Sequence, residues 1–272
     1  MNKAYLTLAA VVKNESHYVR EWLAHYRAVG FEKFAVVLND CTDGTERQIR
    51  SLSFADDISI GRTQVKCPQV AVYNELCRER RGKTFWMAFL DADEFLFCPL
   101  GRTLPEFLSE YERHGGLMVH NYEFGSSGHV VRPERSATAS FRYRAKNDFW
   151  MHDQFKCVVK PSAVQWYASP HYAKIDGDLV REDHRAVPDE NIYRLCGLQN
   201  GEKPICQRIR YNHYFTRSME DFVTRLHRGG ACSKTKHWTC NDFMLRDHRD
   251  VLDTEITLYE SRVMELLDGR LR

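Results

Sequence analysis

Residues 84–97 read TFWMAFLDADEFLF and place three acids inside a run that is otherwise apolar. The first seven residues are typical of a buried strand, and Asp91, Asp93 and Glu94 follow them closely. Carboxylates are rarely buried without a partner, because an unpaired buried charge is costly enough to shift its own pKa. The stretch therefore predicts that positive charge lies close to these three side chains.

Strand and helix patterns alternate ahead of this stretch. Apolar residues recur at helical spacing from Val19 to Tyr26, with Ser16 as the expected cap and Gly30 as the stop. Apolar runs of strand length occupy residues 4–12, 33–38, 58–62 and 84–90. This order predicts a largely parallel sheet with helices on its faces.

Two further helices fill the remaining connections. Asp43 and Glu46 are spaced as a capping box for a short helix, and Pro68 opens a third helix that runs to about Arg80. We therefore predict an α/β fold of the nucleotide-binding type, with a mixed, mostly parallel central sheet flanked by helices.

The second half of the chain contains short β-like segments, and helices are expected only from Ser218 onward. The segments cover residues 116–124, 139–145, 155–161, 164–168 and 209–215. No clean linker separates the halves. We predict one domain in three parts, which are a nucleotide-binding half, a half that completes the sheet, and C-terminal helices, over residues 1–100, 101–217 and 218–272.

Composition excludes several classes of protein. Among 272 residues, 39 Lys and Arg nearly balance 37 Asp and Glu, so a nucleic-acid partner is not expected. The nine cysteines form no CxxC pair, and no apolar run is long enough to span a bilayer. The start lacks the cleavage site of a signal peptide. These features favour free thiols in a reducing cytoplasm.

The acidic stretch suits a divalent cation. Alternate residues of an extended chain point the same way, so Asp91 and Asp93 are expected on one side of a strand end, the edge where open α/β sheets bind ligands. Two carboxylates with substrate phosphates and water are a usual setting for Mg²⁺ or Mn²⁺. The alternative is an acidic turn that merely closes a strand.

Four motifs in order carry a family resemblance. The chain resembles GT-A-type glycosyltransferases of the bacterial family 2-like set and is similar to glycosyltransferase family 92, over residues 4–231. The motifs are KNESHYVREWLAHYRAVGFEKFAVVLNDCTDGT, FLDADEFLF, FGSSGH and NHYFTRSMEDF, which start at Lys13, Phe89, Phe124 and Asn212. The resemblance implies a GT-A fold in which residues 101–217 form the acceptor side.

The resemblance also implies a nucleotide-diphosphate sugar donor, with a UDP-sugar expected, and a DxD metal site at Asp91 and Asp93. Two loops would hold the nucleoside, and their residues are Lys13, Asn14 and Glu15 after the first strand and Asn39 and Asp40 after the second. The alternative for Glu15 is compensation of a helix N-terminus. The capping role explains Asp43 without any chemistry.

The third motif looks like the loop between donor and acceptor sites. Its glycines permit close backbone approach, and its hydroxyls suit a sugar or a phosphate, over the residues Ser126, Ser127, Gly128 and His129. A tight structural turn is the alternative. Lys156 matches a family lysine that would offset diphosphate charge, and Arg217 and Arg225 are further candidates.

A C-terminal histidine often completes the metal site in such enzymes. His213 suits that role, and His171 is the competitor. A histidine ligand would favour Mn²⁺ over Mg²⁺. The alternative for either residue is a hydrogen-bonded structural histidine.

The catalytic base has the weakest sequence signal. Inverting transfer needs a carboxylate or histidine within reach of the acceptor hydroxyl. Asp148 and Asp153 lie in a suitable region, with Asp153 preferred and Glu123 and Glu134 as alternatives. Neighbouring aromatics would either stack on a sugar or pack in the core, and these are Phe149, Trp150 and Phe155.

The resemblance implies a metal-dependent glycosyltransferase that acts on a saccharide or lipid-linked acceptor. It also implies inversion at the anomeric carbon and a role in bacterial surface polysaccharide or lipopolysaccharide synthesis. The alternative is a protein of the same fold that binds or hydrolyses nucleotide-sugars without transfer. A nucleotidyltransferase is disfavoured, because the loop after the first strand has no glycine. The basic run RERRGK (residues 78–83) offers a means of peripheral attachment to the inner membrane.

Overall fold

The computed structural model describes residues 3–188, 203–228 and 238–271. Its first part consists of four parallel strands, β1 (Ala4–Val12), β2 (Lys33–Asn39), β3 (Ile58–Thr63) and β4 (Thr84–Phe89). Three helices connect these strands, α1 (Val19–Ala28), α2 (Thr45–Arg50) and α3 (Gln69–Arg80). The predicted alternation of strand and helix is confirmed.

Two of the predicted helix starts are wrong in detail. Ser16 does not cap α1, because its backbone N–H donates to Asp43 Oδ2 at 3.0 Å and α1 has no side-chain cap. Asp43 does not form a capping box with Glu46; its Oδ1 accepts the N–H of Thr45 at 2.9 Å. Glu46 pairs with two arginines instead. The carboxylate of Asp43 therefore ties together the loops that follow β1 and β2.

Among the described residues, nine further strands follow, and they are β5 (Glu94–Phe97), β6 (Gly116–Glu123), β7 (Tyr143–Arg144), β8 (Phe155–Val159), β9 (Val164–Tyr167), β10 (Ala173–Ile175), β11 (Leu179–Val180), β12 (Arg210–His213) and β13 (Val251–Leu252). Four of the five predicted β-like segments are confirmed as β6, β8, β9 and β12. The segment 139–145 is mostly wrong, because only its two residues in β7 are extended.

Helices of the second half begin earlier than Ser218, contrary to the prediction. They are α4 (Leu104–Leu108), α5 (Ala137–Ser140), α6 (Met219–Arg228), α7 (Cys240–Arg246) and α8 (Glu260–Leu267), with 3-10 turns at Ser109–Tyr111, Trp150–Asp153 and Glu255–Tyr259. A further 3-10 turn, Ala55–Asp57, precedes β3 in the first half. Thr103 and Glu106 form a capping box at α4. A buried carboxylate, Glu21, accepts the first N–H of α5 at 2.6 Å and so fixes a helix where a strand was expected.

A single sheet holds strands from both halves of the chain, in the order β3-β2-β1-β4-β8-β6-β12-β5, with β11 beside the start of β6. β8 runs antiparallel to β4 and β6, β12 runs parallel to β6, and β5 runs antiparallel to β12. Consequently β1, β2, β4, β6 and β12 all end at one edge, and β5 and β8 begin there. The predicted mixed, mostly parallel α/β class is confirmed.

Core side chains cover both faces of this sheet. On one face α1 packs Trp22 against a cluster that includes Leu8 and Val158. On the other face α3 packs Tyr73 against Phe89. Each fully buried large apolar side chain contributes about 1.5–3 kcal/mol. The covered faces leave the carboxyl edge as the place where polar groups gather.

Candidate active site at the carboxyl edge of the sheet

The carboxyl edge of the sheet collects most of the groups that the sequence analysis singled out. Parallel strands place their last residues side by side, and this is the edge at which open α/β sheets bind ligands. The predicted residues at this edge are Lys13, Asn14, Glu15, Asn39, Asp40, Asp91, Asp93, Lys156 and His213. Glu94 and Glu123 join them at the first residue of β5 and the last residue of β6.

The acidic stretch is a turn between two strands and not one continuous strand. β4 ends at Phe89, the backbone N–H of Glu94 donates to the carbonyl of Asp91 at 3.0 Å, and β5 begins. The predicted alternation, which would have turned Asp91 and Asp93 to the same side of a strand, is therefore wrong. The two carboxylates meet different partners.

Asp91 is held from three directions. Its Oδ2 accepts a hydrogen bond from Lys156 Nζ at 2.8 Å, and its Oδ1 accepts one from Gln69 Nε2 at 2.7 Å. Its backbone N–H donates to Glu94 Oε2 at 2.9 Å. The side chain nevertheless remains 31% exposed. Asp91 is therefore both fixed and accessible to a ligand.

Lys156 is the positive charge that the sequence predicted for the acidic stretch. Its ammonium is almost fully buried and also lies 3.1 Å from Glu94 Oε2. Burial opposes the charged form of the lysine, but Asp91 and Glu94 raise its pKa well above the ordinary value. Burial raises the pKa of Glu94 to about 7 although Lys156 acts in the opposite direction. The ammonium thus neutralises two protein carboxylates at the place where a diphosphate contact is predicted.

Asp93 is more deeply buried than Asp91 and is paired with an arginine. Arg225 of α6 donates to its Oδ2 at 2.5 Å, and His213 Nε2 lies 3.9 Å from the same oxygen. Burial by itself would raise the pKa of Asp93, but Arg225 and His213 hold it well below its usual range. The carboxylate is therefore ionised at neutral pH.

His213 is oriented by a buried carboxylate behind it. Its Nδ1–H donates to Glu123 Oε2 at 2.9 Å, and Arg246 donates to Glu123 Oε1 at 2.7 Å. Burial opposes ionisation of Glu123, yet His213 and Arg246 lower its pKa to about 2. Glu123 therefore holds the imidazole with Nε2 towards Asp93. Since both of its oxygens are engaged, Glu123 is poorly suited to be a base.

Arg217 joins the first loop to the acidic turn. It donates to Glu15 Oε2 at 2.7 Å and to the carbonyl of Ala92 at 2.7 Å, and its guanidinium lies 4.1 Å from the centre of the Tyr18 ring. Its backbone has φ 49°, a conformation that L-residues adopt rarely. Glu15 thus anchors an arginine, a role beyond charge compensation at the start of α1.

The loops after β1 and β2 present two kinds of predicted residue. Lys13 and Asp40 lie 3.5 Å apart in an exposed pair, and Asn14 is bonded through its side chain to Thr42. Asn39 is buried, and its amide donates to the carbonyl of Val65 at 3.0 Å. Lys13, Asn14 and Asp40 are therefore accessible at the edge, whereas Asn39 stabilises the loop after β3.

The FGSSGH loop is a tight turn in which both serines are used internally. Ser126 Oγ accepts the N–H of Gly128 at 3.1 Å, and Ser127 Oγ accepts the N–H of Arg142 at 2.8 Å. A Cβ on Gly125 would lie 2.2 Å from a backbone oxygen, so only glycine fits there. This geometry supports the structural alternative for the serines.

His129 ends this loop next to the start of α6. Its ring packs edge-on against Phe141 at 5.7 Å, and its carbonyl accepts the N–H of Met219 at 3.1 Å. The residue therefore connects the loop to the helix that carries Arg225.

The carboxylates considered as a base differ in their surroundings. Asp148 and Glu134 are exposed, and Asp148 lies 3.7 Å from Lys146 Nζ. Asp153 is partly buried at the end of the 3-10 turn before β8, and burial raises its pKa. A raised pKa favours proton acceptance near neutral pH.

His171 lies near the same edge as a neutral imidazole. Its Nδ1–H donates to the carbonyl of Phe155 at 2.9 Å, and burial together with Lys156 lowers its pKa to about 4. This hydrogen bond leaves Nε2 as the acceptor. Both histidines named as metal ligands thus have Nδ1 engaged by the protein, His171 with a carbonyl and His213 with a carboxylate.

The sequence analysis missed two residues of this site. Gln69 follows Pro68 at the start of α3, a position that faces the same edge as Asp91, and this placement was the available signal. Arg246 lies in a C-terminal helix to which the sequence analysis assigned no role in the site, yet its guanidinium is buried against Glu123. No sequence pattern links residues 123 positions apart.

The basic run proposed for membrane contact lies elsewhere. Residues 78–83 end α3 and precede β4, so they lie at the edge opposite the acidic turn. Within the part of the chain that the structure describes, no helix has the length and apolar character required to cross a bilayer.

A scan against protein families matches residues 8–196 to the model described as glycosyltransferase family 92. A family 92 protein of Oryza sativa subsp. japonica is 25% identical over 166 residues, which are 58% of this chain and 27% of that protein. A family 92 protein of Ricinus communis is 26% identical over 166 residues, which are 58% of this chain and 29% of that protein. The chain thus covers less than a third of the length of these relatives.

Among solved structures, S. aureus TarS 1–349 in complex with UDP aligns with 47% of this chain and 38% of its own, at 17% identity and a TM-score of 0.36. A second structure of S. aureus TarS 1–349 aligns with 58% of this chain and 47% of its own, at 14% identity and a TM-score of 0.40.

Proposed function

Because the chain belongs to glycosyltransferase family 92, we propose that it is a glycosyltransferase that moves a sugar from a nucleotide-diphosphate sugar to a saccharide or lipid-linked acceptor. The observation that carries this proposal is the carboxyl edge, where Asp91 lies beside Lys156. On the same turn, Asp93 lies beside Arg225 and His213. Acidic groups that hold a cation and an arginine that fits phosphate oxygens are the requirements for binding a diphosphate.

The nucleoside would bind at the exposed ends of the first two loops. Lys13 and Asp40 offer a cation and a carboxylate there, and the side chain of Asn14 lies beside them. Carboxylates at such strand ends bond ribose hydroxyls in other α/β nucleotide sites. A UDP-sugar is the expected donor.

Asp93 and His213 have the chemistry to hold Mn²⁺ or Mg²⁺. Asp93 Oδ2 and His213 Nε2 are 3.9 Å apart, and Glu123 orients the imidazole as carboxylates do behind metal-bound histidines. No group of three or more potential ligand side chains occurs among residues 3–188, 203–228 and 238–271. A cation here would therefore take its remaining ligands from the diphosphate and water, as Mg²⁺ commonly does. When bound, it would stabilise the negative charge of the leaving nucleotide.

The protein's own residues would stabilise the leaving group and accept the proton of the acceptor hydroxyl. Arg225 and Arg217 hold positive charge beside the acidic turn, and this charge would favour the departing diphosphate. Asp153 would accept the proton of the acceptor hydroxyl, with Asp148 as the less favoured base. Attack by that hydroxyl from the face opposite the nucleotide would invert the anomeric carbon.

The biological setting stays a prediction. A role in bacterial surface polysaccharide or lipopolysaccharide synthesis, and peripheral attachment to a membrane, remain expectations from the sequence. The relatives described above are plant proteins.

A thermal-shift screen tests the donor and the cation together. We expect one class of nucleotide-diphosphate sugar to raise the melting temperature by about 5 °C with Mn²⁺ present, since a ligand that binds only the folded state stabilises it. Mn²⁺ alone should shift it little. Asp91→Asn and Asp93→Asn should lose the response, while Asp56→Asn, which alters an exposed acid outside the site, should keep it.

Transfer itself is measured by mass spectrometry of reactions with mixed saccharide acceptors. Full activity in EDTA would refute the cation's role. Release of free sugar at a rate that no acceptor raises would instead support the hydrolytic alternative, and the absence of any nucleotide-sugar response would contradict the proposal as a whole.

A further inference from the structure

The 3-10 turn Trp150–Asp153 presents an aromatic ring and a carboxylate on its outer side. Met151 and His152 are buried, whereas Trp150 is 58% exposed. Side chains at positions i and i+3 of a 3-10 helix eclipse each other. Trp150 and Asp153 are three residues apart in this turn and therefore share one side of it.

The carboxylate of Asp153 has no partner in the part of the chain that the structure describes. No hydrogen bond or ion pair to it occurs within the described ranges 3–188, 203–228 and 238–271, although the side chain is partly buried. The neighbouring Asp148 differs, because it is exposed and lies 3.7 Å from Lys146. An acid that is partly desolvated and lacks a partner remains available to accept a hydrogen bond from a ligand.

Buried aromatic packing fixes the turn in place. The His152 ring lies 4.9 Å from the ring of Tyr122 on β6, and Phe149 packs 4.4 Å from His248. Trp150 and Asp153 therefore project from a rigid support. Rigidity lowers the entropic cost of ordering the side chains when a ligand binds.

The turn adjoins the edge described above. Only Gln154 separates it from β8, whose Lys156 bonds to Asp91 at 2.8 Å. Three Cα steps place Asp153 within about 11 Å of Lys156. A molecule on the turn would therefore lie at the same edge of the sheet as the acidic turn.

We propose that Trp150 and Asp153 bind the pyranose ring of the acceptor. The indole face would cover the apolar C–H face of the sugar, and the carboxylate would accept a hydrogen bond from a ring hydroxyl. The inference rests on the proposed function only in naming this sugar as the acceptor. If this site binds the acceptor, the acceptor is a saccharide whose terminal unit is a hexopyranose.

Exposure by itself does not mark a binding site, because single exposed apolar side chains are common. Trp166 illustrates this, since it is 43% exposed on β9 and lies opposite Lys174 in the β9–β10 hairpin. Trp166 is therefore a control for Trp150, with comparable exposure at a different place in the fold.

The test observes the tryptophan indole N–H signals by NMR in the ¹⁵N-labelled full chain, with no nucleotide present. The probes are the methyl α- and β-glycosides of glucose, galactose, mannose and N-acetylglucosamine. Trp150→Phe and Trp166→Phe assign the two signals. We expect at least one glycoside to shift the Trp150 signal saturably and to leave the Trp166 signal unchanged.

Variants then separate the two contacts. Asp153→Asn should weaken the binding of that glycoside about tenfold, because a hydrogen bond to a charged group is lost. Trp150→Ala should weaken it about fivefold or more, from the loss of stacking. Trp166→Ala should not change it. Unchanged melting temperatures would show that these exposed substitutions leave the fold intact.

Three results would overturn the proposal: no glycoside moves the Trp150 signal, Trp166 responds equally, or Asp153→Asn binds like the parent protein. The outcome of the thermal-shift screen with nucleotide-sugars is independent of these three results. Glycoside binding at Trp150 without any response to nucleotide-sugars would refute the transferase function and leave the saccharide surface standing.

Discussion

Asp91 and Asp93 lie two residues apart on one turn, yet the protein neutralises them in different ways. Asp91 is 31% exposed and bonds to Lys156, which belongs to the sheet itself. Asp93 is only 8% exposed and bonds to Arg225, which belongs to a helix outside the sheet. The difference indicates that a rigid support fixes Asp91, whereas the docking of α6 governs the charge balance at Asp93.

Removal of Lys156 should have the largest effect on stability. Lys156→Met leaves Glu94 buried without its cation, and breaking a buried ion pair from one side costs about 3–5 kcal/mol. Urea denaturation measures the loss. Lys66→Met, at an exposed position after β3, should stay within about 1 kcal/mol of the parent protein. Similar losses for the two variants would show that Lys156 does not support the turn.

A matched pair of substitutions compares the two acids directly. Asp93→Asn removes the buried carboxylate that pairs with the partly buried Arg225 and should cost about 3 kcal/mol. Asp91→Asn should cost about 1 kcal/mol, because Lys156 keeps Glu94 as a partner and the site is open to water. Equal losses of unfolding free energy in the pair would contradict the proposed difference.

The anchoring of α6 should depend on pH. Asp221 accepts hydrogen bonds from Tyr18 at 2.6 Å and Ser218 at 2.7 Å, and it pairs with Arg132. Burial opposes its charge, but these partners lower its pKa below the ordinary 3.8. A lowered folded-state pKa stabilises the fold above the unfolded pKa, and this stability is lost as the pH falls through the folded pKa.

Asp221→Asn should therefore lose about 2 kcal/mol at pH 7, and the difference from the parent protein should shrink below about pH 4. Urea denaturation at several pH values measures both. A difference that stayed constant down to pH 2.5 would mean that the carboxylate charge does not anchor α6.

The smallest expected effect concerns Gln69. Gln69→Met removes one hydrogen bond to the partly exposed Asp91 and should cost about 1 kcal/mol or less. The effect of the substitution on donor binding should be larger than its effect on stability, because Asp91 loses one of the hydrogen bonds that orient its carboxylate. Gln48→Met, in α2, is the control and should change neither the unfolding free energy nor the nucleotide-sugar response.

Local sequence predicted the first half of the molecule well and the site only in part. The runs that became β1, β2 and β4 are apolar on both faces and bounded by turn residues, a pattern typical of buried strands. The segment 139–145 was mispredicted because its first two residues belong to α5. Ser136 caps this helix locally, and Glu21, more than a hundred residues earlier, accepts its first N–H. The serines of FGSSGH accept backbone N–H groups within the turn. Turn chemistry and ligand chemistry use the same hydroxyls, so sequence alone does not separate the two roles.

By itself the sequence determined that three acids near a strand end require positive charge, and that parallel strands would deliver them to a ligand edge. Only the tertiary structure decided which basic side chains pair with these acids, because Lys156 and Arg225 lie 65 and 132 residues away from their partners. Pairing between distant side chains depends on strand register and helix docking. These are properties of the assembled sheet, and no local pattern of residues encodes them.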